Sequence, residues 1–234
     1  MLRKEAVEKG TMDLVDKLMA DDKLASFNLV GGTALALKIG HRKSIDIDLF
    51  TQSDFDSREI SKHLYTTYNV TRLQTIANGV FCLVDRIKLD LLAHKYPLVQ
   101  GVEVSEGVRM VSLKDIGAMK LNAIYGNGTR LKDFVDIYSL LEDFSLKELL
   151  QASEMKYPEN NIGVVQHSLL HHQDIDFSVP IDFIGKEIKW PSIAERLRQA
   201  SQNPQKIFQK IPPLKQNLLA KKQVQQRKPR GPGL

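Results

Sequence analysis

The sequence predicts an α/β (α+β) protein in which a mixed sheet with flanking helices is followed by a helical C-terminal part. Residues 27–50 have the pattern of strand, glycine turn, helix, loop and strand. Residues 70–92 contain three short apolar runs separated by turn signals, of which Asn78-Gly79 is the strongest. From Ser112 onward the apolar residues recur at helical spacing instead.

The chain accordingly divides into three predicted segments. We expect a core over residues 1–111, a helical domain over residues 112–202 and a basic, flexible tail over residues 203–234. The core is predicted to open with a helix over residues 3–19. After Glu195 the sequence contains ten Lys and Arg and no acidic residue, so the formal net charge of +5 becomes −5 when those ten are left out.

The first strand of the core ends in a glycine turn. An apolar run stops at Gly31-Gly32, as a buried strand does before a turn. Thr33 is predicted to cap the following helix, residues 33–39, and Gly40 to close it. Backbone N–H groups at such a turn point outward at a helix N-terminus, where phosphate binds well.

The strand after this helix is predicted to carry two carboxylates. Ile45, Ile47 and Leu49 alternate with Asp46 and Asp48, so the aliphatic and acidic side chains lie on opposite faces. The two aspartates are about 6–7 Å apart, close enough to converge on a pair of divalent ions about 3.5–4 Å apart. Alone, an Asp-x-Asp strand is usually a solvated sheet face, and Gly-Gly is usually only a turn.

The combination of the two features resembles a known signature. Thirteen residues separate Gly32 from Asp46, and GGTALAL followed by HRKSIDIDLF resembles the DNA-polymerase-beta-like nucleotidyltransferases, in particular the AbiEii/AbiGii-type abortive-infection toxins. A phosphate-loop interpretation is excluded, because Lys43-Ser44 lacks the preceding glycine.

The resemblance implies a metal site and a nucleotide site. Asp46, Asp48 and a third carboxylate from a neighbouring strand would hold two Mg²⁺ ions, with Mn²⁺ as a possible substitute. The candidate for the third is Asp90 in IKLDLL, which alternation places on one face with Lys88. Gly31, Gly32 and Thr33 would cradle the phosphates of a nucleoside triphosphate (NTP), Arg42 would neutralise charge and Ser44 would brace the loop.

Lys120 and two further aspartates have two interpretations each. Lys120 lies in an apolar stripe with Ile116 and Ile124, where a lysine either extends out of the core or meets phosphate. The resemblance implies that it holds the nucleotide and that, as a catalytic residue, it neutralises the charge that develops in the transfer. In KDFVDIYSLL the simpler interpretation is that the charged residues form a solvated helix face, on which Lys132 and Asp136 are an ion pair. The resemblance implies that Asp133 or Asp136 faces the active site, and both stay candidates.

The implied activity is the transfer of a nucleoside monophosphate from NTP to an acceptor. In toxins of this type the acceptor is RNA, often the tRNA 3′ end, and a cognate antitoxin is the expected partner. The alternatives are a nucleotidyltransferase that modifies a protein or a small molecule such as an antibiotic, and an inactive binding module with the same fold.

Composition predicts a cytoplasmic protein without membrane contact. Apolar residues make up 42% and charged residues 26% of the chain, which is ordinary for a globular protein. Neither a membrane span nor a secretory signal is predicted. Cys82 stands alone in the sequence, so no disulfide or cysteine metal site is predicted.

Overall fold

The structure is a computed structural model that describes residues 1–209 of the chain. A seven-stranded mixed sheet has the order β3-β4-β5-β2-β1-β7-β6. The strands are β1 Asn28–Val30, β2 Ile47–Thr51, β3 Val70–Ile76, β4 Gly79–Val84, β5 Ile87–Ala93, β6 Glu103–Ser105 and β7 Val108–Met110. The helices are α1 Lys9–Ala20, α2 Gly31–Ile39, α3 Ser57–Thr67, α4 Leu113–Gly126, α5 Leu131–Leu140, α6 Leu146–Lys156, α7 Ile162–Ser168 and α8 Trp190–Gln202. The predicted fold class is confirmed.

The centre of the sheet has one apolar and one partly polar face. β2 pairs antiparallel with β1 and parallel with β5, so Asp48 lies opposite both Val30 and Asp90. Ile47 and Leu49 point the other way and are fully buried. This alternation is the one that a half-buried strand requires, and it fixes which face carries the carboxylates.

The helical part begins at a cap that the sequence indicates. The Ser112 side chain accepts a hydrogen bond from Asp115 N, at 3.0 Å, and so starts α4. α4 then packs against α5, α6 and α7. Of the predicted basic tail, residues 203–209 are described: Lys147 N donates to Pro204 O and Phe208 N donates to Leu141 O. The remainder of that prediction lies outside the described residues. No helix within residues 1–209 is long and apolar enough to cross a membrane.

Two local predictions are wrong for reasons of tertiary structure. The helix predicted for residues 3–19 is split into a short 3-10 turn at Lys4–Ala6 and α1, because Val7 pairs with Ser44 in an isolated bridge. Ile45 was expected on the buried face, but β2 begins at Ile47 and Ile45 is 58% exposed.

An aromatic recess lies where the sheet meets the helical part. Its lining includes Phe50, His94 and Tyr96 from the sheet and the loop after it, Met119 from α4 and Lys156 from α6. The His94 ring lies 5.3 Å from the Phe50 ring and 4.9 Å from the Tyr96 ring, centroid to centroid. His94 Nε2 also lies 3.0 Å from the hydroxyl of Tyr157, so the imidazole is held between aromatic neighbours.

His94 is expected to make stability depend on pH. Burial, together with the nearby Lys156 ammonium, lowers the pKa of His94 to about 4, against about 6.5 in an unfolded chain. Between these values the unfolded state binds more protons, so the free energy of unfolding decreases as pH falls from about 6.5 to about 4. Urea titrations across this range should show a smaller decrease in His94→Gln than in the wild type. Equal decreases would contradict the assignment.

Candidate active site

Two of the three predicted metal ligands meet on neighbouring strands. Asp48 and Asp90 are Cα partners in the parallel pairing of β2 and β5. Burial and the Asp90 carboxylate raise the pKa of Asp48. Asp90 Oδ2 lies 2.5 Å from Lys88 Nζ, while its Oδ1 is buried without a hydrogen-bond partner among the described residues. The sheet therefore brings together two carboxylates whose charges repel.

Asp46 lies just before β2 and faces another partner. Its Oδ2 is 3.6 Å from Lys132 Nζ at the start of α5, and both side chains are 33% exposed. Within residues 1–209 no group of three or more His, Cys, Asp or Glu side chains is arranged to hold a metal ion. Asp46 thus lies near Asp48 and Asp90, but the three carboxylates do not converge on a common metal position.

The chemistry of the Asp48–Asp90 pair nevertheless fits a divalent cation. Hard cations such as Mg²⁺ take carboxylate oxygens as ligands. A buried carboxylate oxygen without a hydrogen bond is costly unless something compensates it, and Asp90 Oδ1 is such an atom in the part of the chain that the structure describes. A cation between the two carboxylates would remove their repulsion and would give Asp90 Oδ1 the partner that it lacks.

The glycine turn gives the Asp48 carboxylate its space. Gly31 has φ +68°, and a Cβ added there would lie 2.5 Å from Asp48 Oδ2. A Cβ on Gly32 would lie 2.7 Å from a terminal nitrogen of Arg42. Both glycines are therefore favoured by the close approach of the Asp48 and Arg42 side chains, and the start of α2 lies directly beside Asp48.

Gly31→Ala is expected to damage the site more than the fold. The alanine is strained at positive φ, and its methyl group collides with Asp48, so we expect a loss of about 1–3 kcal/mol of stability and a loss of activity of at least tenfold. Gly10→Ala in α1 is the control, because no atom of the described residues lies within 4 Å of the added Cβ. That change should stabilise the helix by about 0.5–1 kcal/mol. Wild-type activity in Gly31→Ala would contradict this role.

Thr33 does not cap α2 as predicted. Val30 occupies the capping position, and no side chain within residues 1–209 bonds to the N-terminus of the helix there. The Thr33 hydroxyl instead donates to the carbonyl of Asp46, and its oxygen lies 2.9 Å from Ser44 Oγ, within hydrogen-bond distance. Thr33 and Ser44 therefore hold the loop that leads into the aspartates, and the N–H groups at the start of α2 are left without a side-chain cap.

A buried ion cluster lies behind this loop; it consists of His41, Arg42, Lys120, Asp133 and Asp136. Lys120 Nζ lies 2.6 Å from Asp133 Oδ1 and 2.7 Å from Asp136 Oδ2. Arg42 donates to both Asp136 oxygens, at 2.7 and 2.9 Å, and His41 Nε2 lies 2.7 Å from Asp136 Oδ1. Arg42, Lys120, Asp133 and Asp136 are each at most 6% exposed.

The charges of the cluster stabilise one another. Burial alone would raise the pKa of Asp136, but Lys120 and Arg42 hold it well below its usual range. Burial would lower the pKa of Lys120, and Asp136 and Asp133 more than reverse this. The two cations are matched by two carboxylates, so the cluster is close to neutral and joins α4 and α5 to the loop of residues 41–46.

This arrangement shows where the Lys120 and Asp136 side chains lie. The Lys120 ammonium neither extends to solvent nor lies at a cleft edge, because it is enclosed with the two carboxylates. The Lys132–Asp136 pair is wrong: Asp136 is buried with Arg42 and Lys120, and Lys132 faces Asp46. Asp133 and Asp136 both belong to the cluster.

Two partly exposed lysines approach the carboxylates, and the sequence did not single them out. Lys88 contacts Asp90 with a side chain that is 52% exposed, and Lys132 contacts Asp46. Burial and the neighbouring Arg130 lower the pKa of Lys132. Alternation in β5 already places Lys88 on the same face as Asp90. The position of Lys132 near Asp46 depends on how α5 packs, and no local sequence pattern predicts it.

Comparison with known proteins identifies the family of the chain and a structure with a similar fold. A family described as "Nucleotidyl transferase AbiEii toxin, Type IV TA system" matches residues 13–217. An uncharacterized protein of Aquifex aeolicus, aq_aa25, is 31% identical over 195 residues, which are 81% of this chain and 93% of that protein. The fold is similar to that of a candidate nucleotidyltransferase from Helicobacter pylori, with a TM-score of 0.53, 19% identity, and coverage of 83% of this chain and 91% of the other.

The family match spans most of the chain, and it includes the glycine turn, the paired aspartates and the helices of the buried ion cluster. The resemblance noted from the sequence is thereby confirmed. The chain is a nucleotidyltransferase and belongs to the AbiEii toxin family.

Proposed function

We propose that this nucleotidyltransferase transfers a nucleoside monophosphate from NTP to the 3′ end of an RNA, such as a tRNA, and acts in the cytoplasm as the toxin of a toxin–antitoxin pair. The observation that carries the proposal is the juxtaposition of Asp48 and Asp90 beside the uncapped start of α2. One end of this site offers ligands for cations, and the other offers backbone donors for phosphate.

Asp48 and Asp90, with Asp46 from the adjoining loop, are the residues that would hold Mg²⁺, or Mn²⁺ in its place. Bound divalent cations supply activation of an attacking hydroxyl and charge neutralisation on a triphosphate. Asp46 is partly exposed and its contact with Lys132 is 3.6 Å long, so its carboxylate can change partner at little cost. Such a change would complete the ligand set.

The phosphates would lie against the start of α2. Gly31, Gly32 and Thr33 supply N–H groups there. Lys132 and Lys88 are the cations that we assign to the triphosphate, because both are partly exposed and contact the carboxylates. Lys120, Arg42, Asp133 and Asp136 would act as positioning residues instead, since the cluster holds the loop of residues 41–46 that delivers Asp46.

Lys132→Met is expected to weaken NTP use without unfolding the protein. The change removes a charge from a side chain that is 33% exposed beside one carboxylate, and methionine preserves much of the stem's packing. We expect the KM for NTP to rise about tenfold or more, with a smaller change in kcat, as for loss of a ground-state phosphate contact. Lys147→Met is the control, since Lys147 is exposed at the start of α6 and should leave the KM unchanged. An unchanged KM in Lys132→Met would contradict the assignment of Lys132 to the triphosphate.

RNA is the proposed acceptor because of how the charge is distributed along the chain. The ten Lys and Arg after Glu195 give an otherwise acidic protein a positive segment. Positive segments bind polyanions through phosphate contacts that carry little sequence information. A cognate antitoxin is the proposed protein partner, by virtue of the family.

One experiment tests donor and acceptor together. The full chain is incubated with Mg²⁺, each α-labelled NTP in turn, and either total tRNA or a protein extract, with Asp48→Asn as the matched inactive control. Label at the tRNA 3′ end, dependent on Asp48, supports the proposal. Label in protein would replace RNA by a protein acceptor, and absence of Asp48-dependent label from both would contradict transfer to macromolecules.

A further inference from the structure

We propose that the Lys88 ammonium is a built-in counterion of the Asp48–Asp90 pair, that a divalent cation displaces it, and that the displaced ammonium then binds the triphosphate. The proposal rests on the function proposed above and adds the order in which the site assembles. Lys88 has to leave Asp90 when the cation binds, and its ammonium contacts phosphate only after this exchange.

The sheet places Lys88 directly beside the carboxylates. Residues two apart in a strand share a face and are about 6–7 Å apart, so Lys88 lies next to Asp90 along β5. Leu89 of β5 is paired with Ile47 of β2. Lys88 and Asp46 immediately precede these two residues, so they are at the same level of the parallel pair. The Lys88 side chain is therefore close to the acidic group as a whole, and not to Asp90 alone.

The ammonium competes for the carboxylate that a cation would use. Lys88 Nζ lies 2.5 Å from Asp90 Oδ2, and the Asp90 side chain is only 13% exposed. Asp90 Oδ1 is left without a hydrogen-bond partner among the described residues, so the lysine compensates one oxygen of the two. A divalent cation on Oδ1 would lie close to an ammonium on Oδ2 of the same carboxylate, where like charges repel strongly. Cation binding therefore favours departure of Lys88.

Lys88 is able to leave, and phosphate is within its reach. Its side chain is 52% exposed, so the ammonium can be hydrated once it loses its partner, and the flexible stem lets it turn. Lys120 differs, because its side chain is 8% exposed and two carboxylates enclose its ammonium. The start of α2, where the phosphates would lie, is beside Asp48. A displaced Lys88 ammonium therefore has an anionic partner nearby once the triphosphate binds.

Isothermal titration of the full chain tests the exchange without measuring transfer. The probes are Mn²⁺ alone and inorganic tripolyphosphate added in the presence of saturating Mn²⁺. Lys88→Met removes the ammonium, and Lys88→Arg keeps a positive charge. Lys95→Met is the matched control: Lys95 Nζ lies 2.5 Å from Asp54 Oδ1 and its side chain is 56% exposed, but Asp54 is an exposed carboxylate outside the site. Circular dichroism checks that each variant is folded.

We expect Lys88→Met to bind Mn²⁺ about tenfold more tightly than the wild type, because a site that is free in only a fraction of the molecules has a reduced apparent affinity. The same variant should bind tripolyphosphate about tenfold more weakly, as for loss of one charged hydrogen bond. Lys88→Arg and Lys95→Met should resemble the wild type with both probes.

An unchanged or weaker Mn²⁺ affinity in Lys88→Met, or an equal increase in Lys95→Met, overturns the displacement. Unchanged tripolyphosphate binding in Lys88→Met overturns the phosphate contact, and a Lys88→Arg variant that behaves like Lys88→Met overturns the role of the charge. Each of these results leaves Asp48-dependent transfer, and with it the proposed function, intact. If the wild type binds neither probe, the proposed function fails as well.

Discussion

Asp48→Asn and Asp90→Asn are each expected to lower nucleotidyl transfer by about three orders of magnitude or more, since each removes a charge that the reaction's cations would require. Stability should hold or increase, because burial and mutual repulsion already disfavour the charged form of Asp48. Asp46→Asn should lose transfer to a similar degree if Asp46 completes the ligand set. Labelled-NTP transfer and thermal unfolding measure the two effects.

The control for these variants is Asp85→Asn. Asp85 lies in the exposed turn between β4 and β5 with φ +50°, a conformation that asparagine tolerates. The Asp85→Asn variant should therefore keep wild-type transfer activity. A folded Asp48→Asn or Asp90→Asn enzyme that transfers at nearly the wild-type rate would remove these residues from the catalytic site.

Lys120→Met is expected to cost about 3–5 kcal/mol of stability, as for removal of one partner from a buried ion pair. The variant leaves Asp136 buried with Arg42, and leaves Asp133 buried with a 3.6 Å contact to the more exposed Arg130. Methionine fills the volume of the lysine stem but cannot compensate the second carboxylate. Urea unfolding of the variant measures the loss, and activity should fall with it because the loop of residues 41–46 is no longer held.

A double-mutant cycle separates charge imbalance from lost packing. Lys120→Met combined with Asp133→Asn restores a balanced cluster and should recover about 1–3 kcal/mol relative to Lys120→Met alone. Lys114→Met is the control on the same helix, because Lys114 makes a partly exposed pair with Glu148 at 3.4 Å and should change stability by at most about 1 kcal/mol. Equal effects of Lys114→Met and Lys120→Met would contradict the importance of the buried ion cluster.

Much of the fold follows from signals that are local in the chain. The cap at Ser112 and the closing Gly40 lie where the sequence predicts them, and the β3–β4 hairpin forms with its turn one residue earlier than predicted, at Ala77-Asn78. Each depends on the conformational preference of one or two residues and on neighbours within a turn. Alternation also predicts the face on which Asp48 and Asp90 each lie, whereas their position on neighbouring strands is implied by the family resemblance alone. The roles of the site residues and the domain boundaries stay predictions.

The sequence by itself therefore determined the α/β class, the order of its elements, the family and the residues that carry its signature. Only the tertiary structure decided which cations are enclosed and which are accessible: Lys120 and Arg42 are buried with Asp136, whereas Lys132 faces Asp46. Arg42 and Asp136 are 94 residues apart in the chain. Alternation and capping act between near neighbours, but a buried charge takes its partner from whichever element packs against it, because burying it alone would be too costly.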